Sequence, residues 1–393
     1  MPPTTEQRVL TVGVVRETAP RERRVALDPE VTTRLVASGH LVLVEQGAGE
    51  AASLPDAAYR IAGASVVSRA DVVATCDVLA VVRPPDAALV ASLRAGQLLI
   101  GVLEPLLNVE VVHDLAARHV TAASFDLLPR TLSRAQAMDA GSSQASAAGY
   151  RAGIVAAASF DRYFPMMITA SGTATPAKVI VLGAGVAGLQ AIGTVKRLGA
   201  VVTGYDVRPA SRSEVESLGA TFLTSSITEG AAVGGYARAM TAEEAVSQQD
   251  ELARHLVTHD VIITTAKVPG RTPPLLVTAA TLAALRPGSV CIDLAATEQR
   301  GNVAGSVDGR RVVTSGGVVV IGAGNLASDL ATSSSHMYAR NVLALLLSLA
   351  PDGVVAIDPD DEVHAAVVVC HDGVVTHVAA HEGAHTPTES RVP

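Results

Sequence analysis

Short apolar runs punctuate the first third of the chain: Val9–Val15, Leu41–Glu45, Ala64–Val67, Val78–Val82, Leu98–Leu103 and Val120–Phe125. Strands of this kind alternating with helical stretches predict a parallel α/β domain. One helix start is chemically marked, because Asp28 offers an N-cap side chain and Pro29 suits the first helical position. Apolar runs resume near Pro176 with Val179–Leu182, Val201–Asp206, Val261–Thr265, Ser289–Leu294 and Gly316–Gly322, predicting a second α/β unit. Ser133–Tyr163 contains no proline and reads as one long helix, and Ala327–Leu349 as another. Val354–Ile357 and Ala366–Val369 read as late strands.

The run Val179–Leu182 leads into Gly183-Ala184-Gly185-Val186-Ala187-Gly188, then a helical pattern, then a second strand ending at Asp206. Each glycine has a physical task. Gly183 permits the tight turn, Gly185 lets backbone approach a pyrophosphate, and Gly188 lets helix and strand pack closely. A pyrophosphate would sit on the unpaired amides at the helix start. Asp206 follows after about 20 residues, where a carboxylate can accept both ribose hydroxyls of an adenosine. A Gly-x-Gly-x-x-Gly alone is weak, but strand, turn, helix, strand and acid occur here in order. The expectation is a dinucleotide site. Asp206 favours NAD(H) by repelling a 2′-phosphate, while Arg208 keeps NADP(H) open.

Composition changes the picture little. The 393 residues allow two or three domains, and 49% are hydrophobic with 3% aromatic and no tryptophan, so the core is aliphatic, as suits parallel sheets under helices. No apolar stretch reaches the roughly 18 to 20 residues of a spanning helix. Residues Met1 to Arg8 lack a secretory pattern. Three scattered cysteines imply no disulfide framework, which fits a reducing cytosol. A formal net charge of -8 without a long basic cluster argues against a nucleic-acid partner.

Candidate chemistry is sparse. Gln136, Asp139 and Ser142/Ser143 recur at helical spacing and would project together, either as a functional face or as a solvated stripe. Ser225–Gln249 is polar and contains Gly234-Gly235-Tyr236, either a surface loop or a glycine-hinged lid over a cofactor. His377, His381 and His385 are spaced four apart, but their terminal position beside Pro387 favours a frayed tail, and no metal is expected. The chain has no Gly-x-Ser-x-Gly elbow, no spaced Cys/His set and no P-loop. Dehydrogenation of an alcohol or amino acid needs a general acid/base. Hydride transfer between two nicotinamides needs only that the rings lie about 3 to 3.5 Å apart and correctly oriented.

Nearly the whole chain resembles the NAD(H)-binding component (alpha subunit, domain I) of proton-translocating NAD(P) transhydrogenase and, more distantly, alanine dehydrogenase. The resemblance is carried by Gly13–Thr18, Glu22–Leu27, Ser133–Asp139, Ser142–Gln144 and Ala148–Ala152. Phe164–Met167, Gly183–Gln190, Asp206–Arg208, Gly234–Ala237 and Thr264–Gly270 extend it. It implies that Gln136, Asp139 and Ser142 hold the nicotinamide end, sharing that role with an arginine, either Arg130 or Arg134. It implies that Gly183, Gly185, Val186, Gly188, Asp206, Val207 and Arg208 hold the pyrophosphate and adenosine. Ala266 and Lys267 would line the site, with Gly235 and Tyr236 in a mobile lid.

The resemblance further implies two Rossmann-like domains with parallel sheets, joined by two long helices, with the cofactor cleft between them. The expected division is 1–135 plus 330–393 against 136–329. The implied activity is Re/Si-specific transfer of hydride between NAD(H) here and NADP(H) on a partner. A homodimer would dock onto separate membrane-spanning and NADP-binding components at the inner face of the cell membrane, in the version whose alpha subunit is split.

Alanine dehydrogenase offers a contrast. Its catalytic lysine falls at Arg83, its catalytic histidine near Glu104 and its catalytic aspartate near Thr297, so no evident group here exchanges the proton. An amino-acid dehydrogenase and a non-catalytic NAD-binding module are the alternatives. The chain departs from the transhydrogenase pattern at Asp293–Asn302, at Asn325–Asp329 and at Ser146.

Overall fold

The computed structural model describes residues 8–224, 241–267 and 270–376, and the chain divides into two compact units, 1–143 with 331–393 and 144–330. Strands β1 (Thr11–Val14), β2 (Leu41–Glu45), β3 (Ser65–Val67), β4 (Val78–Ala80), β5 (Leu98–Gly101) and β6 (Thr121–Ser124) lie in the first unit. The second holds a hairpin, β7 (Met167–Thr169) with β8 (Gly172–Ala174), then β9 (Lys178–Leu182), β10 (Val201–Tyr205) and β11 (Thr221–Leu223). It continues with β12 (Val261–Thr264), β13 (Val290–Asp293), β14 (Arg311–Val313) and β15 (Val319–Gly322). Finally β16 (Val368–His371) and β17 (Val374–Val375) rejoin the first unit's sheet.

The first sheet runs β17-β16-β6-β5-β4-β1-β2-β3, and the second β11-β10-β9-β12-β13-β15-β14. Both are α/β sheets wound in two directions, from β1 to β2 and β4, and from β9 to β10 and β12. Both are mixed rather than wholly parallel, because β16 pairs antiparallel with β6 and β17, and β14 pairs antiparallel with β15. The antiparallel pairing is confined to one side of each sheet, where β17 and β14 are the outermost strands and β16 is the second in from its edge.

Alternation along the strands divides each core. In the first sheet Val12, Val14, Val78, Ala80, Leu98 and Ile100 face one layer, and Leu79, Leu99 and Ala122 face the other. In the second Val179, Val181, Val261, Ile263 and Val290 are separated in the same way from Ile180, Leu182, Ile262 and Cys291. Burial on both faces is why these strands read as continuous apolar runs. Each fully buried Val, Leu or Ile contributes roughly 1.5–3 kcal/mol.

Four elements differ from the expectation. The stretch 133–163 is not one helix: Ser133–Met138 is a 3-10 segment, Asp139 breaks the regular path at ψ 79°, and the α-helix is Ala140–Ser159. The cause is the Asp139 carboxylate, which accepts the Ser142 N–H at 2.8 Å and the Ser142 hydroxyl at 2.6 Å, bonds suited to a helix start. The second long helix begins at Ala331, after a 3-10 segment at Leu326–Leu330. Near the C-terminus, Glu362–Val367 is helical because Asp361 caps it through Val363 and His364 N–H, so the strand starts only at Val368. Val354–Ile357 forms no strand.

Candidate dinucleotide site

β9 delivers the chain to Gly183, whose φ of +99° lies in the left-handed region. A Cβ there would also stand 2.6 Å from the Thr265 hydroxyl oxygen. Gly185 is the N-cap residue of the helix Val186–Arg197 and supplies no capping side chain. A Cβ at Gly185 would meet nothing within 4 Å, so the first-turn amides stand at an open face, the condition an anionic diphosphate requires. Gly188 is the opposite case, since a Cβ would fall 1.8 Å from the Gly183 carbonyl oxygen. Helix and turn touch backbone to backbone. Val186 is partly exposed beside them.

Asp206 follows β10 and is buried. One carboxylate oxygen accepts the Ala184 N–H at 2.7 Å, so the acid braces the glycine turn itself. Arg208 donates its backbone N–H and Nε to the other oxygen, each at 2.9 Å, and Nη2 to the first at 3.0 Å. That hydrogen bond to Asp206 is the leading cause raising the Arg208 pKa above its ordinary value. Binding of a ribose would require the guanidinium to yield part of this fork, while the two backbone N–H donors keep the carboxylate in place. The residues fit a dinucleotide in that sense. Val207 is half-buried against the apolar layer of Ile180 and Leu182.

The segment after β12 closes the same end of the sheet. Thr265 donates its hydroxyl to the Gly183 carbonyl at 3.0 Å, and its N–H to the Leu182 carbonyl at 2.9 Å. Ala266 is half-buried, and exposed Lys267 donates Nζ to the Gly324 carbonyl at 3.4 Å. The second unit thus brings together Gly183, Gly185, Val186, Gly188, Asp206, Val207, Arg208 and Ala266, with Lys267 at the margin. Gly235 and Tyr236, with the expected lid, lie outside the described residues, as do His377, His381 and His385. Among the described residues no group of His, Cys, Asp and Glu is placed to hold a metal.

Arg130, Gln136, Asp139 and Ser142 all belong to the first unit. Arg130 is half-buried, and Gln136 is exposed on the 3-10 segment. Asp139 and Ser142 are bonded to each other. Arg134 is committed elsewhere, in a two-bond fork to Asp361 at 2.7 and 3.0 Å that holds the Asp361 carboxyl down at about 2. Asn341, on the helix Ala331–Leu349, donates to the Ala137 carbonyl at 2.9 Å and accepts the Ser143 hydroxyl at 2.8 Å. Sequence reasoning missed this brace, for no periodic signal links residues so far apart. It also missed Gly149, where a Cβ would stand 2.0 Å from the Ala187 carbonyl.

A cavity of about 260 Å³ in the first unit lies beyond the carboxyl ends of β1 and β4, where the strand order reverses. Glu17 lines it and accepts the Val82 N–H at 2.6 Å and the Arg83 N–H at 3.3 Å. Loss of hydration pushes its carboxyl up to about 7, with the Glu22 charge adding to the effect against these hydrogen bonds. Among the cations around it, Arg24 forks onto Glu22 at 2.7 Å, Arg69 pairs with Glu45 at 3.1 Å, and Arg83 reaches Glu104 at 3.3 Å.

A doubly wound α/β unit with a glycine turn, an uncapped helix start and a buried acid after the second strand is a dinucleotide-binding fold of Rossmann type. The alanine dehydrogenase/PNT N-terminal domain matches residues 13–148 and the C-terminal domain of that family residues 152–378. The chain belongs to the alanine dehydrogenase/PNT family. It is 42% identical over 381 residues to a chain of Rhodospirillum rubrum named as a part of NAD(P) transhydrogenase subunit alpha, covering 94% of this chain and 98% of that one. A crystal structure of transhydrogenase from Sinorhizobium meliloti superposes with a TM-score of 0.81 at 39% identity, over 94% of this chain and 99% of that one. Alanine dehydrogenase of Mycobacterium tuberculosis is 31% identical over 296 residues, 73% of this chain and 72% of its own.

Proposed function

We propose that this chain is the NAD(H)-binding component of a proton-translocating, Re/Si-specific NAD(P) transhydrogenase. The glycine turn braced by Asp206 carries the reading, in a chain whose relatives bear that name. Gly183, Gly185, Val186 and Gly188 receive the pyrophosphate, and Asp206, Val207 and Arg208 the adenosine. Ala266 and Lys267 line the site. Arg130, Gln136, Asp139 and Ser142 orient the nicotinamide, with Arg134, which pairs with Asp361, the alternative to Arg130.

The nicotinamide supplies the hydride chemistry, exchanging with NADP(H) on a partner component, and this chain's residues orient the ring and exclude competing acceptors. The chain acts as a homodimer docked through membrane-spanning and NADP-binding components at the inner face of the cell membrane. No helix among the described residues is long and apolar enough to cross a membrane, which is consistent with anchoring through partners. An alanine dehydrogenase reading is disfavoured because Glu104 pairs with Arg83 where that chemistry calls for a histidine and a lysine.

NADH oxidation measured with NADP⁺ and an added NADP-binding component tests the proposal, against pyruvate plus ammonium with the chain alone. Turnover only in the first assay is expected. Turnover with pyruvate would overturn the reading, and silence in both would favour a non-catalytic NAD-binding module.

A further inference from the structure

We propose that Asn302 is a positioning residue for the dinucleotide site, holding the Thr265–Lys267 segment against the glycine turn. The proposal rests on the NAD(H) reading of that turn. Asn302 is fully buried. Its Oδ1 accepts the Ala266 N–H at 3.0 Å, and its Nδ2 donates to the Ala266 carbonyl at 3.0 Å and the Pro274 carbonyl at 2.7 Å. Both backbone polar groups of Ala266 are therefore satisfied by one side chain. Ala266 lies just past the end of β12, where the ladder with β9 and β13 has stopped, and the Asn302 amide takes the place of a missing strand neighbour.

Ala266 is one residue from Thr265, whose hydroxyl and N–H bond the Gly183 and Leu182 carbonyls. Two short steps thus connect a buried amide to the turn. Asn302 is itself held on both sides. Its carbonyl accepts Leu276 and Val277 N–H at 2.8 and 2.9 Å. The buried carboxylate of Asp293 accepts the N–H of neighbouring Val303 at 3.0 Å, and a Cβ at Gly301 would stand 2.1 Å from Asp293 Oδ2. Asp293 also accepts the Thr264 hydroxyl at 3.1 Å, tying the end of β12 to the same loop. The stretch that departs from the transhydrogenase pattern thus contains the fixture for the site's inner wall. An amide is required because the Ala266 residue presents one donor and one acceptor; a carboxylate would face two carbonyls with no proton to give.

NADH titration of the full chain, followed by nucleotide fluorescence alongside thermal unfolding of the unliganded protein, tests this. Asn302→Ala is expected to weaken NADH binding about tenfold, the effect of one or two lost buried hydrogen bonds. Asn302→Asp is expected to bind weakly at pH 8 and to recover as the pH falls toward 5, because only the protonated carboxyl can donate to the Ala266 carbonyl. Wild type and Asn302→Ala should lack that recovery. The pH-dependent rescue also decides the matter if the alanine variant does not fold. Asn302→Ala affinity within twofold of wild type, or an Asn302→Asp pH profile parallel to wild type, overturns the positioning role even if melting temperatures fall. Failure of the wild type to bind NADH overturns the site reading and the positioning role with it.

Discussion

Gly188 and Gly185 stand three residues apart and differ in what a methyl group would meet. At 188 it would collide with the Gly183 carbonyl, which cannot rotate away, whereas at 185 it would enter open space. Gly188→Ala should therefore cost about 1–3 kcal/mol of stability, the range for overpacking. Gly185→Ala should stay within about 0.5 kcal/mol of wild type, as an unobstructed substitution does. Denaturant unfolding of the two variants separates them; equal losses would show that the turn relaxes around either methyl. NADH binding should suffer in both, through a displaced helix in one and a crowded diphosphate face in the other. The glycine spacing and the acid after the second strand were legible because adjacent residues determine them. That Arg208 fills the acid's acceptor positions was not, since it depends on a rotamer chosen in three dimensions.

The helix Ala140–Ser159 shows the limit of periodicity as a guide to an element. A proline-free, alanine-rich stretch reads as continuous helix, yet Asp139 interrupts it because its short carboxylate competes for a neighbouring backbone N–H. Asp139→Ala should destabilise the chain by about 1 kcal/mol, and Asp139→Asn by much less, because an amide oxygen also caps. Thermal unfolding measures both, and equal losses would mean that Asp139 acts through its charge instead. The Asp361 cap on Glu362–Val367 is a second case, where a carboxylate holds Ala366 and Val367 in helix and delays the strand to Val368. Strands were easier to read, because burial on both faces leaves an unbroken apolar run.

The stability of the whole chain should carry the mark of Glu17. Its folded-state pKa of about 7 lies above its ordinary 4.5, so the folded protein holds this proton where the unfolded chain has lost it. The resulting stabilisation is full below pH 4.5 and is lost as pH rises through 7, a change on the order of 3 kcal/mol. Denaturant unfolding at pH 5 and pH 8 should show wild type losing more stability than Glu17→Gln, and parallel slopes would refute the assignment.

The amino-acid sequence by itself determined the α/β class, the run of buried strands, and the strand, turn and helix around Gly183, because those features arise from side-chain alternation and from residues within a turn or two of each other. Tertiary structure alone decided the antiparallel edges, the matching of Arg24 with Glu22 and of Arg83 with Glu104, the binding of Arg134 by Asp361, and the hold of Asn302 on Ala266. Apart from Arg24 and Glu22, which stand two residues apart, most of these strand partners and side-chain bonds join groups tens to hundreds of residues apart. Their cost or gain depends on which neighbours exclude water, and that is settled only when the layers close.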